Sequence, residues 1–434
     1  MKKVLVLVLI VLMPGLRTMA QQTSEEVMSL TLEHCIEYAL KNNYNRQSVA
    51  LNEASSKETY NQSKMERLPN LTATIGETFS NSNGTAGNWN GNYSLNTGLT
   101  IYQGGYINST IEKSKLAAEQ STYLTAQYNN DLTIQVLQAF LTALGNEELL
   151  RYQDVVLKAS EEQLKQGKAR LTAGEILESD YLLLEAQYAS DLNNILETTI
   201  SRDNSLNALK SLMSLDLSQS IEIVYPDDSI LKSMGLLPSE DEVIARSFET
   251  LPDLEISKYS VEIAEAGVRI SRSAYAPTLS LNASIGSGHI NDFSNYSSQI
   301  SDGFNQQVGL SLNIPLFNRN RTKSSVTKSR IALQQAELEY NQTELEMRQL
   351  LVQEFRNVVL AESVYRSTEV RKNAYLASFD AYRMKFTQGS ITAVELLQQQ
   401  NNYISAMNDY VQGKYGFILK RKVLDVYMGE PVTM

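Results

Sequence analysis

Hydrophobic positions along this chain recur at three- and four-residue spacing, then at two, then at three and four again, and the whole succession occurs twice. From Thr31, the residues Leu32, Ile36, Ala39 and Leu40 share one helical face, and Thr31 is a suitable N-cap. The run predicts a helix continuing past Asn43 through Ala54 and Tyr60. It stops before Pro69, because proline disfavours helix in the residue preceding it. Leu71, Ala73, Ile75 and Phe79 then alternate with Thr72, Thr74 and Thr78. The polar stretch Asn81 to Gly91 predicts a loop, and Tyr93, Leu95, Thr97, Leu99 and Ile101 resume the alternation. This is a β-hairpin over 70–102, with strands of roughly ten residues, the length a tilted strand needs to cross a bilayer. Its polar face carries Thr, Ser, Asn and Gly rather than charge, which suits water on one side and lipid on the other.

After Gly104 and Gly105 the helical period persists to about Lys168, which is roughly 95–100 Å of helix. A helix that long must pack against others along most of its length. A glycine turn at 171–176 follows, then a helix from about Ile176 to Met213, then an irregular segment over 217–238. From Ser239 the order repeats. Pro277 stands for Pro69, and Leu279, Leu281, Ala283 and Ile285 alternate. Gly286 to Asn305 predicts a loop, and Val308 to Ile314 alternate before Pro315-Leu316-Phe317, giving a second hairpin over 278–317. A long helix from about Arg321 to Lys385, a turn at 386–391 and a last helix to about Tyr427 complete it. The chain therefore reads as two copies of one unit, 21–216 and 239–430, joined by 217–238. Four membrane-length strands cannot close a barrel, which needs at least eight, and an open edge in lipid leaves backbone groups unpaired. If the hairpins lie in a membrane, cyclic assembly must close the sheet, and the long helices continue outside it as a ring.

Composition adds bounds. Lys2-Lys3, the apolar run Val4–Met13 and Thr18-Met19-Ala20 read as a secretory signal over 1–20. The net charge is −11, and loss of Lys2, Lys3 and Arg17 with the leader makes it −14. That disfavours nucleic acid, whose phosphates need a basic face. The only cysteine, Cys35, sits inside a helical pattern and reads as a small packed residue. His34 and His289 are too far apart in the pattern to form a metal site. No phosphate loop, nucleophile elbow or triad is visible, so no cofactor and no enzymatic activity are expected.

The two hairpin–long-helix repeats resemble the TolC family of outer-membrane efflux proteins. The likeness rests on Pro69-Asn-Leu and Pro277-Thr-Leu opening the first strands, Leu312-Asn-Ile-Pro-Leu-Phe317 closing the fourth, and glycine turns followed by Asp180 and Glu395. It covers nearly all of 31–430. The resemblance implies a mainly α protein with membrane β: a homotrimer whose 12-stranded β-barrel is continuous with a long periplasmic α-helical barrel, in contact with outer-membrane lipid. It also implies an exit duct working with a periplasmic adaptor (membrane-fusion) protein and an inner-membrane transporter of the RND, ABC or MFS type, in a tripartite pump or type I secretion system. A second reading of the same pattern is a periplasmic or surface coiled-coil scaffold or adhesin without a channel. An enzyme with a helical shell is a third, for which no active-site set is visible.

Both turns present the same chemistry. Gly174 and Gly389 supply unhindered corners. Leu171, Ile176, Phe386 and Ile391 flank them and either pack the tip or contact the adaptor. Asp180 and Glu395 follow at equal spacing. The resemblance makes them pore-facing acids at the periplasmic aperture; the plainer reading is acids favoured at helix N-termini by the dipole. Gln398 stands where the family often has a second acid. Phe79, Tyr93, Tyr102, Tyr106 and Phe317 are expected at strand ends, as membrane-interface aromatics or as packing at the barrel–helix junction. Trp89 is expected in the outer loop.

Overall fold

The computed structural model describes residues 28–82, 85–225, 236–290 and 295–433; the expected signal segment lies outside the described residues. Strand β1 (Met28–Leu30) leads to helices α1 (Leu32–Asn42) and α2 (Tyr44–Met65). Strands β2 (Asn70–Ser82) and β3 (Thr85–Gln103) follow, then α3 (Tyr106–Thr172), α4 (Glu178–Met213) and β4 (Ile221–Ile223). The second copy runs α5 (Glu240–Thr250), α6 (Pro252–Ser273), β5 (Thr278–His289), α7 (Tyr296–Asp302), β6 (Asn305–Asn313), α8 (Arg321–Thr387) and α9 (Ala393–Tyr427).

Four expectations change. The helix expected from Thr31 to Pro69 is broken at Asn43, whose side chain accepts from the Arg46 N–H at 2.9 Å and so starts α2. The second copy breaks at the matching place, where Leu251 precedes Pro252 at the start of α6. The loop expected over Asn81–Gly91 is largely strand: β2 and β3 stay paired to Ser80↔Asn88, with Phe79 opposite Trp89 and their rings 5.3 Å apart. Trp89 and Tyr93 therefore lie within β3, not in a loop or at a strand end. In the second hairpin β5 continues to His289, α7 occupies part of the expected loop, and β6 ends at Asn313, leaving Phe317 beyond the strand. The segment 217–238 contributes β4, which pairs in parallel with β1 and ties the start of the chain to the junction between the copies.

The large sheet has the order β2-β3-β5-β6, antiparallel throughout, with β2 and β6 as its open edges. One face carries Leu71, Ile75, Leu95, Leu281, Ile285, Val308 and Leu310; the other is polar. Outside the sheet the helices pack side by side in the order α2, α3, α6, α8.

Farther from the sheet, α3 pairs with α4 and α8 with α9 as antiparallel coils whose contacts recur every seven residues. Along α8–α9 the layers are aromatic: Tyr365 stacks on Phe417 at 6.0 Å, Lys372 sits 3.8 Å over the Tyr410 ring, and Phe379 stacks on Tyr403 at 5.9 Å. Along α3–α4 they are small or polar: Asn146 donates to Ser205 at 3.2 Å, Ser160 to Asp191, and Gly167 lies against Leu184. The main core joins α1, α3, α4 and α9 through Leu32, Leu137, Phe140, Leu144, Met213 and Tyr410. Cys35 belongs to it, and burial pushes its thiol up to about 12, which leaves it unreactive. A second core, nearer the turns, contains Leu184, Phe379, Phe386, Leu396 and Tyr403.

Candidate functional site at the paired helical tips

Both long helices end in the same backbone device. At the first tip the Gly174 N–H reaches the Leu171 carbonyl at 3.0 Å and the Glu175 N–H reaches the Arg170 carbonyl at 2.8 Å. At the second, Gly389 reaches Phe386 at 2.9 Å and Ser390 reaches Lys385 at 3.0 Å. These are paired Schellman closures, which need a left-handed residue after the helix, and Gly174 (φ 76°) and Gly389 (φ 71°) provide it. A side chain there is strained by roughly 1–2 kcal/mol, so glycine is the residue that lets each chain turn back at once.

The helices leaving the tips start differently. Thr392 caps α9, accepting from the Glu395 N–H at 3.4 Å, while the Glu395 carboxylate accepts from the Thr392 N–H at 2.9 Å and its hydroxyl at 3.1 Å. This capping box holds the Glu395 carboxyl below its ordinary range, chiefly through the Thr392 backbone N–H and then its hydroxyl. At the first tip Leu177 occupies the N-cap and offers no side-chain bond, and Asp180 lies in the first turn of α4. In the single chain both acids are thus helix N-terminal acids, one locked by its cap and one free of it.

The structure gathers the two tips around one cavity of about 410 Å³. Gly174, Ile176, Asp180, Phe386, Gly389, Ile391 and Glu395 line it. Leu171, half-buried, and Gln398, exposed and bonded along its helix to Asn402 at 3.4 Å, lie outside the lining. Phe386 is only 2% exposed and belongs to the tip core, so its side chain offers no free surface. Ile176 and Ile391 are half-buried, and the two glycines are exposed.

Sequence reasoning missed the residue that joins the tips. Arg170, in the last turn of α3, donates to the Phe386 carbonyl at 2.8 Å and to Glu175 at 3.3 Å, and lies 5.4 Å from the Phe386 ring centre. A cation on a helix-terminal carbonyl complements the dipole of α8. The available signal was a basic residue four positions before Gly174, matched by Lys385 before Gly389. Also missed was a buried polar node a few helical turns above the tips. There the Asp191 carboxylate accepts from Ser160, from Gln187 at 2.8 Å and from Gln400 at 2.9 Å, linking α3, α4 and α9. Burial raises the Asp191 carboxyl, against the opposing pull of those three donors. Among the described residues, no group of three or more His, Cys, Asp or Glu is placed to hold a metal ion.

A model of the family described as outer membrane efflux protein matches residues 35–214 and 243–430. The chain belongs to that family. The outer membrane efflux protein family is one of channels and not of enzymes, and it places this chain in the outer membrane with a long periplasmic helical extension. Among curated relatives, outer membrane efflux protein BepC of Brucella suis is 22% identical over 66% of this chain and 60% of its own length. Outer membrane protein TolC of Escherichia coli is 22% identical over 97% of this chain and 85% of its own. The open-state MtrE outer membrane channel of Neisseria gonorrhoeae superposes with a TM-score of 0.77 at 19% identity, covering 92% of this chain and 89% of that one. The fold is that of an outer-membrane channel, as the resemblance to the TolC family implied.

Proposed function

We propose that three copies of this chain close into a single duct, a 12-stranded barrel in the outer membrane continued by a ring of helices in the periplasm. The tips dock a periplasmic adaptor that connects the duct to an inner-membrane transporter of the RND, ABC or MFS type. The observation that carries this reading is the four-stranded sheet in which, among the described residues, β2 and β6 are both unpaired at its edges. In lipid each unpaired backbone group costs several kcal/mol, and only pairing of β6 with the β2 of a neighbour removes both edges. The helical layer supports the same closure. Its edge helix α8 exposes Ile331, Leu338, Leu345 and Val359 at multiples of seven residues, and its opposite edge α2 exposes Tyr44, Leu51 and Met65 on the same repeat. Such stripes are the seams of coiled coils that lack their partner.

Membrane placement follows from the apolar face. On β3, Tyr93 and Tyr102 stand nine residues apart along that face. At ~3.4 Å per residue and a tilt near 40° they are about 23 Å apart along the barrel axis, against an apolar band of about 25 Å. They mark the two interfaces with outer-membrane lipid, and β3 runs on past Tyr93 into water. Phe79 lies in that outer extension and Phe317 near the periplasmic end. At the other extremity, threefold repetition turns Asp180 and Glu395 into rings of carboxylates around the aperture, with Gln398 adding amides. Ile176, Ile391, Leu171 and the open surface over Gly174 and Gly389 receive the adaptor, while Phe386 supports them from beneath. The test is cysteine crosslinking in cells from positions 172 and 387. Capture of a periplasmic adaptor at both positions is expected; a duct that transports normally while neither position is ever covered would refute the docking assignment.

A further inference from the structure

We propose that the β-barrel section of the duct is a charge-free exit, whose wall matches hydrogen-bonding cargo without regard to charge sign, so that charge selectivity resides in the helical section alone. The proposal rests on the trimeric-duct reading above. The pairing register puts alternate residues of β2, β3, β5 and β6 on the polar face. From Asn70 to Ser80, Asn88 to Gln103, Thr278 to His289 and Asn305 to Asn313, each residue on that face is Asn, Gln, Ser, Thr or Gly. A concavity of about 460 Å³ lies on it, walled by Asn70, Asn96, Asn282 and Ser311 among others.

The only carboxylate of these strands, Glu77, lies on the opposite face and is engaged there. Glu77, Gly91 and His289 stand in one row across three strands, and the His289 ring reaches Glu77 at 3.1 Å over the glycine. A β-carbon at Gly91 would meet the ring at 2.4 Å and the carboxylate at 2.7 Å, so the glycine is what lets the pair meet. Tyr93 donates to the same carboxylate, and its hydroxyl receives that of Tyr296 at 3.2 Å. The sheet thus turns its one acid away from the polar face and holds it between two partners, His289 and Tyr93.

The tip cavity is the opposite case, with Glu175, Asp180 and Glu395 against Arg170. With a screening length of about 8 Å at physiological salt, charges at the far end of ~100 Å helices do not reach the barrel. What remains in the barrel is a wall of amides and hydroxyls. Each can donate or accept, so each can replace water around a cation, an anion, a peptide bond or a sugar hydroxyl. The cargo class that fits is a hydrophilic, hydrogen-bonding solute of either net charge.

The test uses the purified full-length trimer in planar bilayers, with cysteine at Asn96 and, separately, at Leu95 as the opposite-face control. Cys35 is buried and does not compete. Cationic and anionic methanethiosulfonates, each normalised to its rate with a small free thiol, should modify N96C at rates within about threefold of each other. N96D and N96K should move the cation-to-anion permeability ratio in opposite directions by comparable factors. A preference above tenfold for the cationic reagent, persisting when Glu175, Asp180 and Glu395 are neutralised, overturns the proposal. An N96C that no water-borne reagent reaches, beside a reactive L95C, instead overturns the lumen assignment and with it the duct reading.

Discussion

Replacing Phe386 with alanine tests whether the second tip is held by packing or exists to present an aromatic to a partner. The side chain is 2% exposed and packs with Leu184, Phe379, Ala393 and Leu396. Removing a buried phenylalanine costs about 3–5 kcal/mol, the sum of lost burial and of the cavity left behind. The loss falls at the end of two long helices, far from the main core, so it lowers the free energy of local opening rather than of global unfolding. At 1.4 kcal/mol per tenfold, even the lower figure raises amide exchange in the tip by on the order of 10²-fold. Hydrogen exchange read by mass spectrometry on the detergent-solubilised protein reports this over residues 380–400. The same measurement on Q388A, an exposed neighbour, should show almost no change. Unaltered protection in F386A, together with loss of adaptor capture, would refute the packing argument and make Phe386 a docking residue.

Other expectations follow from the same geometry. G389A should destabilise its tip more than G174A: both meet the left-handed penalty of roughly 1–2 kcal/mol, but a β-carbon at Gly389 also meets the Arg170 guanidinium at 2.6 Å, whereas that at Gly174 meets nothing. Exchange rates at the two tips would rank them, and equal effects would contradict the ranking. For Glu395 the folded-state pKa is lowered, so its contribution is present above the ordinary carboxylate range and is lost as pH falls through the lowered value. E395Q should therefore loosen the second tip at pH 7 and match the parent in strong acid; a gap independent of pH would count against the charged cap. For Asp191 the folded-state pKa is raised, so the fold binds its proton longer than the unfolded chain does, and stability declines as pH rises through the raised value. D191N should flatten that decline in thermal melts from pH 4 to 8, and parallel melting profiles would refute it.

Much of this architecture was legible because its two periods are unambiguous. Leu71, Ala73 and Ile75 alternate with threonines because one face of the sheet is apolar and the other polar, and the long helices carry sustained apolar stripes. The strands were underestimated where that asymmetry ends. On the proposed membrane placement both faces of the hairpin meet water beyond Tyr93, so Asn88, Asn90 and Gly91 lose the alternation while the backbone ladder continues past Phe79 and Trp89. The β1–β4 pair was invisible for another reason: three-residue strands are too short to show a period, and their partners are almost two hundred residues apart. At the tips, glycine, flanking apolar residue and acid were all recoverable from spacing, since each is a local requirement of a helix end. Arg170 was not, because its role depends on the Phe386 carbonyl 216 residues away. Nor could one sequence show that the duplicated coils differ in kind. The aromatic layers of α8–α9 and the small polar layers of α3–α4 emerge only once the register pairs Phe379 with Tyr403 and Ser160 with Asp191. The halves share a backbone plan and differ in what fills the seam.

The central claim, that open β2 and β6 edges force three chains into one duct, is tested most directly by native mass measurement of the detergent-extracted protein together with its conductance in planar bilayers. The expected species has about three times the mass of the processed chain, resists dissociation until heated and forms water-filled channels. A monomer that is stable without detergent and forms no channel would contradict it.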